Sequence, residues 1–231
     1  MSQPFRSLLL PFASIVLSGV DTFAGGLVDI KDVDPTIEVE LRYAGTQNML
    51  GRPIYPAKMP ALLQPEVAAR LMQAQSALQV RGFRLKLWDA YRPREAHDQL
   101  WAASQNRAYV ASPAGVGSLH SRGLAVDATL IYLDGRDVAM PTDFDDFTPA
   151  AMLRYTGADP QIRNNLRTLQ RAMGRAGFYG LRTEWWHFVV KDWQKYRLAA
   201  EPPGSPPTSG GGGALPAPPA AGSSTSASRA P

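Results

Sequence analysis

The sequence predicts an α+β fold in which a small sheet is flanked by helices. Residues 37–43 and 83–88 largely alternate apolar with charged side chains, as strands with one buried face do. Residues 65–82 and 160–177 each begin with proline, end with glycine and space their apolar residues as a helix does. No segment is repeated, so these elements are predicted to share one domain and one core.

The first half of the chain is predicted to form a strand, a helix, a second strand and a second helix. The first strand points four side chains to one face: Ile37, Val39, Leu41 and Tyr43. The first helix has one apolar face: Val67, Leu71, Ala74 and Leu78. The second strand leads into Arg92, where Pro93 ends the strand and begins the helix that carries His97. Arg92 therefore lies at a strand-to-helix junction, a place where functional side chains are common.

A third strand is predicted after Gly123, beyond a loop over residues 104–117. One face of this strand is apolar: Leu124, Val126, Ala128 and Leu130. The other face is small and polar: Ala125, Asp127 and Thr129. Asp127 is therefore predicted on the face that can take part in polar chemistry.

The remaining elements are a turn, a helix and a last strand. An Asp-Gly pair at residues 134–135 indicates a hairpin turn, which is followed by an acidic loop over residues 140–149. Asp159 is predicted to cap the last helix. The apolar face of that helix is formed by Ile162, Leu166, Leu169 and Met173. Residues 185–190 are rich in β-forming side chains and predict the last strand.

Both ends of the chain differ in composition from the domain predicted between them, residues 25–199. Residues 1–24 hold one basic residue, Arg6, and an apolar run that Pro11 interrupts. This pattern is typical of an export signal and too short for a membrane span, and the alternative is an N-terminal helix packed on the domain. Residues 200–231 are mostly Pro, Gly, Ser and Ala, so we expect a disordered tail.

Composition excludes several classes of function. The formal net charge is +4, and the basic residues are scattered rather than gathered in a stripe, so nucleic-acid binding is not predicted. The chain has no cysteine, which excludes disulfides, thiolate nucleophiles and cysteine-bound metals. Any metal must therefore be bound by His, Asp or Glu. Of the three histidines, His97 lies on a predicted helix without a partner motif and is interpreted as an ordinary packed residue.

The other two histidines lie close to carboxylates, which is the pattern of a metal site. His120 precedes Asp127 by seven residues with a glycine between them, and His187 follows Glu184 by three. The odd spacing would point His120 and Asp127 to opposite faces of a straight strand, so a turn after His120 must bring them together. The spacing alone leaves two interpretations open, a His/Asp/His zinc site and two buried histidines without a metal.

A zinc site of this composition would favour hydrolysis. Two imidazoles and one carboxylate leave a fourth position open, and a water bound there can reach a pKa of about 7. Glu184 would take the proton of that water and pass it to a leaving amine. A regular strand points Glu184 and His187 to opposite faces, so we predict Glu184 in the turn before the strand. Arg92 would stabilise the charge that develops on the carbonyl oxygen, and the alternative is a structural ion pair with a neighbour such as Asp89.

Several separated motifs resemble, in order, the signature of zinc D-Ala-D-Ala peptidases related to the hedgehog fold. The signature residues are Ser118, His120, Gly123, Ala125, Asp127, Glu184 and His187. Four segments resemble the D-alanyl-D-alanine dipeptidase branch (VanX-like) in particular: residues 41–44, 48–55, 88–93 and 184–188. The resemblance spans about Asp29 to Asp192 and implies a small antiparallel sheet that carries the zinc site.

The resemblance also implies a role for each matching residue. It makes three residues the ligands of one zinc ion per chain: His120, Asp127 and His187. It makes Glu184 the catalytic base and Arg92 the stabiliser of the transition state. It assigns the amino end of the dipeptide to Tyr43, Ser118 and Asp145. Two neighbouring carboxylates are alternatives to the last of these, Asp143 and Asp146.

The predicted function is a zinc metallopeptidase that hydrolyses the small dipeptide D-Ala-D-Ala to D-alanine. One alternative is a D,D-carboxypeptidase that trims peptidoglycan stem peptides, but that branch favours a single tryptophan where this chain has Trp185 and Trp186. Another is a non-catalytic hedgehog-like zinc module, which would need neither Glu184 nor Arg92. The expected location is periplasmic after export, with the cytoplasm as the alternative. No membrane span is expected after processing, and no oligomeric state is predicted.

Overall fold

Seven strands and four α-helices follow one another along residues 26–196, the part of the chain that the computed structural model describes. The elements are β1 (Val28–Asp29), α1 (Ile30–Val33), β2 (Glu38–Val39), β3 (Leu62–Leu63), α2 (Pro65–Gln79), β4 (Phe83–Asp89), α3 (Arg94–Ala103), β5 (Ala125–Tyr132), α4 (Pro160–Arg175), β6 (Phe178–Leu181) and β7 (Glu184–Val190). The predicted export signal and the predicted tail lie outside the described residues.

A five-stranded sheet in the order β2-β4-β5-β7-β6 forms the centre of the fold. Its β4–β5, β5–β7 and β7–β6 pairs are antiparallel, whereas β2 joins β4 in parallel. Strands β1 and β3 form a separate antiparallel pair. The predicted α+β class is therefore confirmed, and the parallel edge strand β2 is the departure from a wholly antiparallel sheet.

Helices α2 and α4 pack on each other and on strands of the central sheet. The four residues of the predicted apolar face of α2 are fully buried: Val67, Leu71, Ala74 and Leu78. Helix α2 ends at Gln79, three residues before the predicted Gly82, whose φ of 84° turns the chain towards β4. Asp159 caps α4 as predicted, because its side chain accepts hydrogen bonds from the amides of Gln161 and Ile162.

The predicted strand over residues 37–43 is wrong in length. Only Glu38 and Val39 pair with β4, and the chain then enters a 3₁₀ turn over Arg42–Ala44. The amide of Ala44 donates to the carbonyl of Leu41 at 2.9 Å, which closes the turn. The alternation predicted the burial of Ile37 and Tyr43, whereas Val39 and Leu41 are half-buried and Arg42 of the opposite face is buried. Tyr43 therefore reaches the interior from a turn.

Three strands were not predicted, because they are too short for alternation to reveal them. Strands β1 and β3 have two residues each and β6 has four. Within residues 26–196, no helix combines the length and the apolar composition that a membrane crossing needs.

Candidate active site

Three side chains of the site lie in one row across neighbouring strands. Asp89 of β4 is paired with Asp127 of β5, and Asp127 is paired with His187 of β7. Residues directly opposite each other in a sheet point to the same face. The register therefore brings Asp127 within hydrogen-bonding distance of His187, 60 residues further along the chain: Oδ1 lies 2.9 Å from Nδ1.

His120 reaches the same point from a turn, as predicted. A 3₁₀ turn over His120–Arg122 ends at Gly123, whose φ of 64° lies in the left-handed region. A Cβ atom at Gly123 would lie 2.8 Å from Cδ2 of Leu27 and 3.1 Å from the amide nitrogen of Gln64. Only glycine fits both the conformation and the space, so Gly123 fixes the path between His120 and β5.

His120, Asp127 and His187 form a group that could hold a metal ion. One ligand atom from each lies within 4.8 Å of the others, and no second group of this kind occurs among residues 26–196. Nε2 of His120 is 3.1 Å from Nδ1 of His187 and 3.4 Å from Oδ1 of Asp127. Nδ1–H of His120 donates to the carbonyl of Ala90 at 2.8 Å, so the lone pair of Nε2 faces the group.

The charge on Asp127 is stabilised by its two histidine neighbours. Burial alone would raise the pKa of this carboxyl, which is 2% exposed. The adjacent rings of His120 and His187 outweigh burial and hold the pKa well below its ordinary value. The group therefore offers one ionised oxygen and two ring nitrogens, a donor set suited to a divalent cation.

Arg92 takes part in the predicted ion pair and also faces the site. Its Nε and Nη2 donate to Oδ2 of Asp89 at 2.9 Å and 2.7 Å, and Nη2 lies 3.6 Å from Oδ2 of Asp127. Neither the contacts with Asp89 nor the contact with Asp127 involves Nη1. The two predicted roles of Arg92 are therefore compatible, because Asp89 fixes the guanidinium without covering all its donors.

Glu184 is the first residue of β7, so the prediction that it lies in the preceding turn is wrong. The pairing of β6 with β7 shifts register between Gly180 and Leu181, and regular alternation therefore does not extend from His187 to Glu184. Its Oε1 is buried without a hydrogen-bond partner among the described residues. Burial raises the pKa of Glu184 to about 7, against the lowering effect of His187. A carboxyl of this pKa can exchange a proton near neutrality.

Tyr43, Asp145 and Ser118 form the other end of the site. Asp145 accepts a hydrogen bond from the hydroxyl of Tyr43 at 3.4 Å and from the amide of Met49 at 3.0 Å. Burial raises the pKa of Asp145 to about 7, and the Met49 amide and Arg92 oppose that rise. Oγ of Ser118 accepts a hydrogen bond from the amide of His120 at 3.3 Å.

Asp145, and neither of its neighbours, is the carboxylate that the fold brings to the site. Its backbone has a φ of 56°, a left-handed conformation that Asp tolerates better than most residues. Asp143 and Asp146 are exposed, and Asp143 instead lies 3.8 Å from Nη1 of Arg42. The left-handed turn of the backbone thus directs one of three nearby carboxylates inward.

All of the predicted site residues line one cavity of about 310 Å³. They are Tyr43, Arg92, Ser118, His120, Asp127, Asp145, Glu184 and His187. A volume of this size suits a small molecule, and three carboxylates and one guanidinium face it. The arrangement can hold a cation, accept a proton and bind a small ligand that carries positive charge.

Comparison with known proteins agrees with this geometry. The family model described as D-ala-D-ala dipeptidase, Peptidase_M15, matches residues 24–198. The chain belongs to this family. The resemblance predicted from the motifs is therefore confirmed, and the chain is a member of a family of peptidases.

Two curated members of the dipeptidase family are similar over most of their length. The D-alanyl-D-alanine dipeptidase of Escherichia coli (strain K12) is 35% identical over 175 residues, which cover 76% of this chain and 90% of that protein. The D-alanyl-D-alanine dipeptidase of Enterococcus faecium is 29% identical over 190 residues, which cover 72% and 92%.

A solved structure of the vancomycin-resistance D,D-pentapeptidase VanY with Zn(II) covers 65% of this chain and 88% of that one. The TM-score is 0.37 and the identity 16%.

The sequence analysis did not assign two side chains, Asp89 and Tyr55, to the site of this member of the dipeptidase family. Asp89 was considered only as an ion-pair partner, yet it also accepts a hydrogen bond from the hydroxyl of Tyr55 at 2.7 Å. Its second oxygen lies 3.4 Å from Nδ1 of His120. The signal for Asp89 was its position three residues before Arg92, whereas nothing in the sequence links Tyr55 to β4. Asp89 thus supports both Arg92 and His120.

Proposed function

We propose that this chain is a zinc-dependent dipeptidase that hydrolyses D-Ala-D-Ala to D-alanine. The observation that carries the proposal is the joint presence, in one cavity of about 310 Å³, of a metal-binding group, a proton-accepting carboxyl and a carboxylate for a substrate ammonium. The two relatives described above are both named for this reaction.

One zinc ion per chain would be held by His120, Asp127 and His187. Three protein ligands of nitrogen and oxygen are typical of catalytic zinc sites, which keep a position for water or substrate. The bond from Nδ1–H of His120 to Ala90 fits this assignment, because zinc-bound histidines usually donate their other N–H to an oxygen. Zinc would supply Lewis-acid chemistry there, activating water and polarising a carbonyl.

Glu184 would move the proton. Its pKa of about 7 in the protein allows it to take a proton from the attacking water and to return it to the nitrogen of the leaving D-alanine. The unpartnered Oε1 is consistent with this role, since no protein donor competes for that atom among the described residues.

Arg92 would stabilise the charge that develops on the carbonyl oxygen during attack. Its guanidinium is 8% exposed and fixed by two hydrogen bonds to Asp89, so little reorganisation is needed when the charge appears. Burial alone would lower the pKa of Arg92. The neighbouring Asp89 carboxylate and smaller effects of the same sign together outweigh burial and raise the pKa above its ordinary value, so the guanidinium stays charged.

The amino end of the dipeptide would be bound by Asp145, with Tyr43 and Ser118 beside it. A free dipeptide keeps its ammonium one residue from the scissile bond, and an ionised Asp145 can pair with that charge. A stem peptide has an amide in place of the ammonium, so it would leave the half-buried Asp145 without its partner. This arrangement favours a dipeptidase over a D,D-carboxypeptidase.

The proposal is tested by assaying purified, zinc-loaded protein on four substrates: D-Ala-D-Ala, L-Ala-L-Ala, N-acetyl-D-Ala-D-Ala and a pentapeptide stem. We expect hydrolysis of the free D,D-dipeptide alone, with stoichiometric zinc. Equal rates on the free and acetylated dipeptides would replace the proposal with carboxypeptidase action. Stoichiometric zinc without hydrolysis of any substrate would favour the non-catalytic alternative.

We also propose that the protein is exported to the periplasm. The family match begins at residue 24, which supports a boundary between the apolar segment and the domain that follows it. Amino-terminal sequencing of the protein from its native host should find the first residue near Gly25 in a periplasmic fraction. An intact Met1 in cytosolic material would contradict export.

A further inference from the structure

His97 links a helix to the loop that forms one wall of the cavity. The side chain lies on α3, is 2% exposed and lines the cavity. Nε2 of its ring is 2.9 Å from the carbonyl oxygen of Ala111. A carbonyl can only accept, so Nε2 carries the proton and donates it. Burial lowers the pKa of His97 to about 4, so the ring is neutral near pH 7 and Nε2–H is its single donor.

The wall that His97 holds belongs to the loop of residues 104–117, which is irregular as predicted. Five of its residues line the cavity, and most are apolar: Tyr109, Val110, Ala111, Val116 and Gly117. The end of the loop is fixed where the guanidinium of Arg122 donates to the carbonyl of Val116 at 2.8 Å. Arg122 belongs to the same turn as His120, so this end of the wall is tied to the metal group.

The middle of the loop has several attachments: Val110 is buried in the core, and Arg107 donates to the carbonyl of Trp101 on α3. The ring of Tyr109 stacks on Phe147 with centroids 4.5 Å apart, and His97 bonds to Ala111. Aromatic stacking fixes the ring more than the backbone. The hydrogen bond from His97 is the contact that joins the main chain of Ala111 to α3 among the described residues.

The position of this wall determines how much space is left beside the reacting groups. D-Ala-D-Ala carries only methyl side chains, and apolar walls receive such groups without needing a hydrogen bond. Adding or removing a methylene in such a pocket changes kcat/KM by about 10- to 200-fold when the walls are fixed. A wall that can move outward loses that discrimination.

We propose that His97 is a positioning residue: through its bond to Ala111 it holds the apolar wall where the wall limits the size of the substrate's side chains. This inference rests on the proposed dipeptidase function and adds the group that sets selectivity. Among residues 26–196, no hydrogen bond or ion pair joins the ring of His97 to His120, Asp127 or His187.

The test compares His97→Asn with His97→Gln in the zinc-loaded protein. The amide of Gln can reach the position of Nε2 and donate to Ala111, whereas that of Asn is one carbon shorter. Kinetics are measured on D-Ala-D-Ala and on two bulkier probes, D-Ala-D-Leu and D-Leu-D-Ala. His97→Phe, which fills the space but lacks the donor, replaces His97→Asn if that variant fails to fold.

We expect wild type to prefer D-Ala-D-Ala over at least one bulky probe. The ratio of their kcat/KM values should fall by about 10-fold or more in His97→Asn, mainly through a higher KM for D-Ala-D-Ala. His97→Gln should keep the ratio within about 3-fold of wild type, because an amide donor preserves the bond. Zinc content should be unchanged in both variants.

An unchanged ratio in His97→Asn and His97→Phe would overturn the inference, even if both variants were less stable. An equal change in His97→Gln would also overturn it, because the hydrogen bond would then not be the cause. A wild-type protein that hydrolyses none of the three peptides would refute the dipeptidase function instead, so the two failures are distinguishable.

Discussion

The two halves of the active site are held in place in different ways. The half proposed to bind the metal is built mainly on the sheet, where strand register places Asp127 against His187. The half assigned to the substrate ammonium is built on turns, where Tyr43 and Asp145 meet across 102 residues through one hydrogen bond of 3.4 Å. In the first half, main-chain pairing fixes two of the three residues and a turn supplies His120, whereas the second half depends on a few side-chain contacts.

This difference implies that substitutions in the two halves should fail differently. Removing a side chain from the sheet leaves the backbone in place and deletes one function cleanly. Removing one from the turns also loosens the segment that positioned it. Substitutions in each half of the site separate the two cases.

The largest effect is expected from the metal ligands. The double variant His120→Ala/His187→Ala should bind no zinc and have no measurable dipeptidase activity, because two of three ligands are lost. It should also lack the rise in thermal stability that zinc gives the wild type, since the metal binds only the folded state. Metal analysis and thermal unfolding with and without zinc measure both effects. Stoichiometric zinc in the double variant would refute the ligand assignment.

The next largest effect is expected for Glu184→Gln. The variant should keep its zinc and its fold but lose about 10³- to 10⁴-fold in kcat, because the amide cannot accept the proton of water. Zinc analysis on the same sample separates this loss from loss of the metal. A near-normal kcat would assign the base to another residue.

In the turn-built half, Asp145→Ala should lower kcat/KM for D-Ala-D-Ala by roughly 30-fold to a few thousand-fold. The acetylated dipeptide should be affected much less, because it has no ammonium to pair. Asp146→Ala is the matched control, since the neighbouring side chain is exposed and should leave both rates unchanged. An Asp145→Ala variant with the same ratio between the two substrates as wild type would move ammonium binding to another carboxylate.

The smallest predicted effect concerns stability in the absence of metal. The folded protein raises the pKa of Glu184 from 4.5 to about 7, so ionising the group opposes folding. This loss of folding free energy is absent below about pH 4.5, where Glu184 is protonated in both states. It is complete above about pH 7, where it reaches about 3 kcal/mol.

With a chelator present, Glu184→Gln should therefore be more stable than wild type at pH 8, and the advantage should shrink as the pH falls towards 4.5. Denaturant unfolding at a series of pH values measures the difference. A difference that does not vary with pH would mean that Glu184 is not buried as a charged group in the metal-free protein.

The sequence predicted the sheet-built half more completely than the turn-built half. The resemblance implied His120, Asp127 and His187 as one ligand set, and the odd spacing predicted the turn after His120 that the structure contains. The position of Glu184 in a turn was wrong, because a register shift between strands cannot be read from the alternation of one strand.

In the other half, the sequence did not decide which of three carboxylates, Asp143, Asp145 or Asp146, would bind the ammonium. The choice of Asp145 depends on its left-handed backbone and on the amide of Met49, 96 residues away. Tyr55 was missed for the same reason, since its partner Asp89 lies on a different element. Local patterns predict elements and motifs, whereas contacts between distant loops follow only from the assembled fold.

If His120, Asp127 and His187 bind zinc as proposed, strand register and metal affinity are coupled in this chain. A slip of β5 by one residue against β7 would turn Asp127 to the opposite face and bring an apolar neighbour opposite His187. Such a misaligned sheet would lose one of its three ligands and bind zinc weakly. Zinc present during folding would therefore favour chains with the correct alignment, so refolding with metal should give a larger yield of active protein than adding metal afterwards.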